Sequence, residues 1–293
     1  MVPISVVSDE TGIAKEVLRK WETRYGFPLP DRDTAGNRVY SGEQVSRLKL
    51  IKRLLDTGLR PGAVVPLDET QLEALAGMQR PAGGAGEDCE PAIELLRKKD
   101  PNRLRAHLQA EMAGLGLENF VLDLLPRLNI RVGEAWADGA IEVHDEHLYT
   151  EMVQALLREA LQRAYDPLGW PRVLLTTVPG ELHLLGNLMV ETALTLAGAR
   201  CISLGAQSPL ADIAAAAQAY GAEIVGLSFS SSFPRKTITP LLRQLRQQLQ
   251  GGVQLWAGGA GVAGIDTVPR GVRIFRTLDE ARAAIRECQA RKA

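Results

Sequence analysis

Long hydrophobic runs are missing from this chain of 293 residues. Polar residues interrupt every apolar segment before it approaches the roughly 20 residues that a membrane-spanning helix needs. We therefore expect no membrane partner and no signal peptide. The three cysteines, Cys89, Cys201 and Cys288, are odd in number and outside any zinc-ligand spacing. These absences predict a soluble, cytoplasmic protein whose thiols hold neither a disulfide nor a metal.

A strong charge of either sign is also missing, since the formal net charge is −1. The charge is unevenly distributed, because residues 1–60 contain 11 Lys and Arg against 8 Asp and Glu, whereas the remainder is acidic. This asymmetry is consistent with a basic amino-terminal segment followed by an acidic remainder. The length predicts two or three domains.

Residues 1–79 show the order helix, turn, helix, hairpin-like wing and long helix, which is typical of DNA-binding domains. The stretch 26–30 interrupts the helical pattern, because its two prolines fix φ and lack the backbone donor. Ser41 has the residue type of a helix N-cap. The pattern predicts helices over 3–13, 14–25 and 41–57, a short strand over 38–40, and a second helix pair within 68–79.

Residues 80–90 contain several Gly and Pro and are predicted to form a linker. Residues 91–166 have helical periodicity and almost no strand signal, which favours a four-helix bundle. The four helices are expected over 91–99, 101–113, 117–136 and 142–165.

Residues 170–293 alternate short β-like runs with helical segments. This order predicts an α/β domain with a doubly wound parallel sheet of the flavodoxin-like type. The dinucleotide fingerprint G-x-G-x-x-G does not follow the first strand. Strands are expected over 173–178, 201–204, 224–229, 253–257 and 272–275, and helices over 184–198, 209–220, 236–250 and 278–290.

Four cations are concentrated on the second predicted helix, and such side chains can meet phosphates and guanine edges in a major groove. They are Lys15, Arg19, Lys20 and Arg24.

The run Leu18-Arg-Lys-Trp-Glu-Thr-Arg-Tyr25, followed by Asn37-Arg-Val-Tyr40, resembles the MerR family of winged-helix regulators over residues 3–65. The resemblance implies that the recognition helix and the wing both contact DNA. It assigns these contacts to Arg19 and Arg24 on the helix and to Arg38 and Tyr40 on the wing. In that family the long helix after the wing often pairs two subunits. Metal-ligand cysteines do not follow the long helix here, so we do not expect a metal sensor of the usual MerR kind.

The motif Glu181-Leu-His183-Leu-Leu-Gly186 follows the first predicted strand and opens a helix. Open α/β sheets bind their ligands at this carboxyl end of a strand. Two further elements occur at the ends of the third and fourth strands. They are Ser228 with Ser230, and the pair Gly258-Gly259.

This spacing resembles the cobalamin-binding domain of methionine synthase and corrinoid mutases, over residues 170–293. The resemblance implies that His183 is the lower axial cobalt ligand and that Glu181 is its hydrogen-bonding partner, an arrangement that suits a neutral imidazole. It also implies that glycines 186, 258 and 259 let the nucleotide tail run against bare backbone. Glu181 stands where Asp is usual, so we expect a longer or looser link to His183. The leucine usual between the two serines is replaced, which leaves open whether Ser228 or Ser230 meets the tail.

Trp136 is followed after nine residues by Glu146-His147. This pattern resembles that of the cobalamin-dependent, light-sensing regulators of the CarH and LitR type. The resemblance implies that Trp136 packs against a 5′-deoxyadenosyl group, with Glu146 and His147 nearby. Some members have a histidine directly after the tryptophan, where this chain has Ala137, so His144 or His147 would have to replace it.

The leading hypothesis is a transcriptional repressor, not an enzyme, that binds adenosylcobalamin and operator DNA. It would form a dimer or tetramer depending on the ligand, and light would disperse the oligomer. Two alternatives stay open. One is a light-independent regulator that binds methylcobalamin or another tetrapyrrole, and the other is a corrinoid methyl-carrier protein.

Overall fold

The structure, a computed structural model, describes residues 1–56, 59, 61–78, 88–265 and 267–292. These residues form two compact units. The first contains Met1–Pro101 with Arg127–His147, and the second contains Asn102–Pro126 with Leu148–Ala293. Most of the predicted linker and the predicted end of the long helix at Thr57 lie outside the described residues. The domain boundaries proposed from the sequence stay predictions.

The first unit begins with a helix-turn-helix and a small antiparallel sheet. Gly12 separates the two helices with φ 65°, a left-handed conformation that glycine adopts without strain. The sheet has the order β1-β3-β2, in which Val2 pairs with Tyr40. Strand β1 was not predicted from the sequence. The elements are β1 Val2–Pro3, α1 Ile4–Thr11, α2 Lys15–Tyr25, β2 Asp31–Arg32, β3 Arg38–Tyr40, α3 Gly42–Asp56, α4 Pro61–Val64 and α5 Glu69–Met78.

Side-chain caps set the starts of two of these helices. The Gln44 backbone N–H donates to Ser41 Oγ at 3.2 Å, which confirms the predicted N-cap of α3. Asp68 and Gln71 exchange bonds, because the Gln71 N–H donates to Asp68 Oδ1 and the Asp68 N–H donates to Gln71 Oε1. Residues 69–78 therefore form one helix, and the second helix pair expected within 68–79 is wrong.

The middle region is helical, as expected. In the first unit, Arg131 forms an ion pair with Glu90 at 3.2 Å and so connects helix α8, Leu125–Ala137, to helix α6, Glu90–Arg97. The predicted break between the second and third helices is a kink at Gly116, where φ is 75° and ψ is 153°. A π-helical turn, Phe120–Leu124, then precedes α8. The helices are α6 Glu90–Arg97, α7 Pro101–Asn119, α8 Leu125–Ala137 and α9 Val143–Ala164.

The second unit contains a five-stranded parallel sheet with the order β5-β4-β6-β7-β8. Alternate residues of the first strand of this sheet point to opposite faces, so that Leu174 and Leu175 pack with helices on different sides of the sheet. Helices cover both faces, and the predicted doubly wound sheet is confirmed. The elements are β4 Arg172–Thr176, α10 Leu185–Leu196, β5 Arg200–Ser203, α11 Leu210–Ala219, β6 Ile224–Ser228, α12 Arg235–Gln248, β7 Gln254–Gly258, β8 Val272–Phe275 and α13 Leu278–Lys292.

The strand order reverses between β4 and β6, which is the topological switch point of a flavodoxin-like sheet. Open α/β sheets bind ligands in the crevice at the carboxyl ends of the strands beside this point. The motif around His183 follows β4, and the two serines lie at the end of β6. The fold therefore brings these two sequence elements to one edge. None of the helices in the described part of the chain is long and apolar enough to cross a membrane.

Candidate functional site

The loop after β4 is held in place by the side chain of Thr177. Its hydroxyl donates to the backbone oxygen of Glu181 at 2.7 Å and accepts from the backbone N–H of Gln207 at 2.9 Å. Thr177 thus joins the loop after β4 to the loop after β5. Sequence reasoning missed both Thr177 and Gln207, because a threonine at a strand end is common and carries no motif.

The carboxylate of Glu181 is buried and accepts four hydrogen bonds. Oε1 accepts from the backbone N–H of His183 at 2.9 Å and from its Nδ1 at 2.7 Å. Oε2 accepts from the backbone N–H of Ser230 at 2.7 Å and from its hydroxyl at 2.9 Å. The longer or looser link expected for Glu in place of Asp is wrong, because the turn brings the longer side chain into direct contact with the imidazole.

These hydrogen bonds decide the charge of Glu181 and the tautomer of His183. Burial by itself raises the pKa of Glu181, but the hydrogen bonds from His183 and Ser230 outweigh it and hold that pKa below its ordinary value. An ionised carboxylate only accepts, so Nδ1 of His183 carries the proton that it shares. In the neutral imidazole, the other ring nitrogen, Nε2, then has the lone pair that a metal requires. The His183 side chain is 60% exposed, whereas that of Glu181 is 1% exposed.

The two serines at the end of β6 have different environments. The Ser230 hydroxyl donates to the carboxylate of Glu181. The Ser228 hydroxyl lies beside Gly186, and a Cβ added at Gly186 would be 3.1 Å from it. The Ser230 hydroxyl is thus engaged by Glu181, whereas the Ser228 hydroxyl lies beside the start of α10. Next to Gly186, the buried Oδ1 of Asn187 has no hydrogen-bond partner among the described residues. Sequence reasoning missed Asn187, whose only signal is a polar side chain at the start of an apolar helix.

The glycine pair Gly258-Gly259 lies at the end of β7, beside the end of β6. Gly258 pairs with Ser228 in the sheet, and a Cβ on Gly258 would lie 3.4 Å from the Phe275 oxygen. Gly259 has φ 94°, and a Cβ there would overlap the backbone oxygen of Phe229. Gly259 is therefore required by the packing of the loops themselves, in addition to any ligand.

The donor set of this edge would suit a group whose metal accepts one imidazole nitrogen. His183 supplies a single exposed imidazole, and Glu181 fixes its orientation. Leu182 beside it is 66% exposed, and the unpaired oxygen of Asn187 offers an acceptor to an amide.

The residues predicted for an upper face lie in the first unit. Trp136 is half-buried near the end of α8, and its Nε1 is buried with no hydrogen-bond partner in the part of the chain that the structure describes. Lys49 Nζ lies 5.0 Å from the centroid of the Trp136 ring. His147 Nδ1 lies 2.7 Å from Glu146 Oε2, and the His147 side chain is 72% exposed. The contacts of the structure thus join Glu146 to His147, and Trp136 to Lys49.

The helix-turn-helix and its wing, residues 2–56, are called the head below. Its second helix, α2, is amphipathic, with Leu18 and Trp21 buried. The predicted DNA-contacting cations of this helix lie outside that buried face. Arg19, Lys20 and Arg24 are exposed, and Lys15 is half-buried.

On the wing, Arg38 donates to Glu22 of α2 at 2.9 Å, which ties the wing to the recognition helix. Tyr40 is 0% exposed, and its hydroxyl is buried without a partner among the described residues. The predicted direct DNA contact of Tyr40 is at odds with this burial, because Tyr40 faces the core of the head. Glu22 and the exposed Arg32 were missed, although a basic residue in a polar wing is a signal in itself.

Three family models match this chain, each in one region of the sequence. Residues 2–69 match the MerR HTH family of regulatory proteins. Residues 89–163 and 171–282 match two models that are each described as a B12 binding domain, B12 being cobalamin. The chain is thus a DNA-binding regulator with a cobalamin-binding part.

Two relatives match most of the chain. The HTH-type transcriptional repressor CarH of Myxococcus xanthus is 33% identical over 266 residues, which cover 88% of each chain. The HTH-type transcriptional repressor CarA of the same organism is 31% identical over 239 residues, covering 77% of this chain and 75% of that protein. The chain belongs to the CarH-type family of transcriptional regulators. Since these relatives are repressors, the expectation of a regulator rather than an enzyme is confirmed.

A solved structure shares the fold. The monomethylamine corrinoid protein of Methanosarcina barkeri aligns with a TM-score of 0.51 at 17% identity, over 70% of this chain and 100% of that one. At this identity the likeness shows the fold alone.

Replacing Ser230 by alanine is expected to destabilise the protein by about 1.5 kcal/mol at pH 7, because it removes a hydrogen bond to a buried charge. The pKa of Glu181 is lowered in the folded state, so its contribution is present above the unfolded pKa and is lost as the pH falls through the folded pKa. The cost of Ser230→Ala should therefore shrink on acidification. Urea unfolding of wild type and variant between pH 7 and pH 3 measures this. Ser228→Ala, which leaves the carboxylate contacts intact, should show no such pH dependence, and an equal dependence in both variants would contradict the assignment.

Proposed function

We propose that this protein is a repressor that binds adenosylcobalamin and changes its assembly and DNA affinity with cofactor and light. One observation carries the proposal. A single exposed imidazole, His183, is oriented by the buried, ionised carboxylate of Glu181 at the switch point of the sheet. The chain that contains this site also contains a winged helix-turn-helix with exposed cations.

On the lower face, His183 would ligate cobalt through Nε2 while Glu181 and Ser230 hold the ring in its tautomer. The Ser228 hydroxyl and the bare backbone at Gly186, Gly258 and Gly259 would line the path of the displaced tail. Close backbone approach explains why glycines suit these positions.

On the upper face, Trp136 would pack against the 5′-deoxyadenosyl group, with Glu146 and His147 nearby. When bound, adenosylcobalamin supplies a cobalt–carbon bond that visible light can break. The unpaired Nε1 of Trp136 supports a role in ligand binding, because a buried donor without an acceptor is costly.

The DNA contacts would come from Lys15, Arg19, Lys20 and Arg24 on α2, with Arg38 on the wing. Such a regulator acts on operator DNA in the cytoplasm. A dimer or tetramer would raise the effective concentration of the second head after the first has bound. Cofactor can switch this assembly only if it binds the two assembly states with different affinity.

A gel-shift in four conditions tests the proposal. The probe is a duplex selected from a random pool by the wild-type protein loaded with adenosylcobalamin in the dark. We expect tight binding only with cofactor in the dark, and weaker binding after green light or without cofactor. Arg19→Ala should weaken binding in every condition without changing the cobalamin spectrum. Equal binding by the wild-type protein in all four conditions would contradict the proposal.

A second candidate is a cobalamin-sensing repressor that does not respond to light, with methylcobalamin or another tetrapyrrole as ligand. Ala137 favours it, because alanine offers no atom that would ligate cobalt on that side. The absorption spectrum of the reconstituted protein identifies the bound ligand, and the gel-shift before and after illumination distinguishes the two candidates. A methyl-carrier role has less support, because the relatives that match most of the chain are repressors.

A further inference from the structure

Lys49 connects the DNA-binding head to the tryptophan of α8. Its Nζ lies 3.3 Å from Oε2 of Glu10, on α1, and 5.0 Å from the centroid of the Trp136 ring. The Lys49 side chain is 14% exposed, so this ammonium is largely removed from water. All three residues belong to the first compact unit.

Both contacts of Lys49 are attractive. An ammonium within about 6 Å of an indole centroid is attracted by the negative face of the ring, and the attraction increases when water is excluded. The carboxylate of Glu10 holds the same ammonium from the side of the helix-turn-helix. Glu10 and Trp136 are therefore bridged by one side chain.

Trp136 is not fully satisfied in this arrangement. Its ring is covered by Lys49, but its Nε1 is buried and has no acceptor among the residues that the structure describes. A ligand that stacked on the ring and offered an acceptor would satisfy the indole better than Lys49 does. Trp136 thus has two possible occupants, one of which is a lysine of the head.

We propose that Lys49 is a latch that competes with the upper group of the cofactor for Trp136. Without cofactor, Lys49 and Glu10 hold the helix-turn-helix to α8, and cofactor binding releases them. This inference rests on the proposed function, because it takes Trp136 as the residue that packs against the 5′-deoxyadenosyl group. Since α1 and α3 support the recognition helix, the state of the latch changes how the head is presented to DNA.

Removing the latch should therefore raise the affinity for adenosylcobalamin relative to that for hydroxocobalamin. Lys49→Met keeps most of the side-chain length and removes the charge. We expect it to raise the affinity for adenosylcobalamin by about threefold to tenfold, the range that a cation–π contact of this kind represents. The affinity for hydroxocobalamin, which has no adenosyl group to meet Trp136, should stay at the wild-type value. By reciprocity, the DNA affinity of the cofactor-free variant should move towards that of the loaded wild type.

Titrations of the full-length protein with the two cobalamins in the dark, followed by absorption, test the inference. Lys52→Met is the matched control, because it removes the same charge from the same helix one turn away. Glu10→Gln removes the partner that holds Lys49 and should shift the affinity ratio in the same direction by a smaller factor. It also serves as the second variant if Lys49→Met does not fold, as judged by circular dichroism.

The ratio of the two affinities decides the outcome. A raised adenosylcobalamin preference in Lys49→Met and Glu10→Gln, but not in Lys52→Met, supports the latch. An unchanged ratio in both latch variants overturns the latch and leaves the proposed function intact. If the wild-type protein binds neither cobalamin, the proposed function fails, and the latch fails with it.

Discussion

Replacing His183 by alanine is expected to remove the imidazole-ligated form of bound cobalamin and most of the binding affinity. Changes to residues that merely support a metal ligand typically cost roughly 10- to 100-fold in affinity. His183 is proposed as the ligand itself, and its orientation is fixed by the buried carboxylate of Glu181. The loss should therefore reach or exceed the upper end of that range.

Absorption titration with adenosylcobalamin measures the affinity and shows the ligation state in the same experiment. His107→Ala is the matched control, because His107 lies on α7 and pairs with Glu111 at 3.8 Å, whereas His183 pairs with Glu181. It should bind cobalamin like the wild type. If His183→Ala kept the wild-type affinity and spectrum, the axial role of this imidazole would be wrong.

The alternation of strands and helices in the second unit could be predicted because it depends on local patterns. Each buried strand is a short apolar run, and each helix repeats its apolar residues at helical spacing. Strand β1 could not be found in this way. It has two residues and exists because Val2 pairs with Tyr40, which lies far away along the chain.

Glu181, His183 and Ser230 could be predicted as site residues from motif spacing, but their contacts with one another could not. The distance between Glu181 and His183 is set by the turn that Thr177 stabilises, so the expected loose link was wrong. The roles of the two serines depend on where β6 ends. Because the strand ends at Ser228, Ser230 leaves the sheet and turns towards the carboxylate.

Tertiary packing also determines the side-chain environments of Tyr40 and Lys49, which local sequence patterns could not predict. Tyr40 lies two residues after Arg38 in the predicted wing, yet its side chain lies in the core of the head. The contact between Lys49 and Trp136 joins two residues of different predicted domains. Periodicity predicts which face of a helix is apolar, and it contains no information on a charged residue that meets a distant ring.

Replacing Gly259 by alanine is expected to destabilise the second unit strongly, whether or not cofactor is present. Gly259 has φ 94° and ψ 174°, a region that essentially only glycine occupies and that costs other residues roughly 1–3 kcal/mol. A Cβ there would also overlap the backbone oxygen of Phe229, which cannot move aside as a flexible side chain could. The two effects together should lower the free energy of unfolding by at least about 3 kcal/mol.

Urea unfolding followed by circular dichroism measures this loss in the cofactor-free protein. Gly251→Ala is the matched control, because a Cβ at Gly251 meets nothing within 4 Å and its φ lies outside the left-handed region. The control should stay within about 0.5 kcal/mol of the wild type. Wild-type stability in Gly259→Ala would show that the loop after β7 can shift away from Phe229. In that case the glycine would be needed for the ligand alone, and the variant should fail in cobalamin binding while it folds normally.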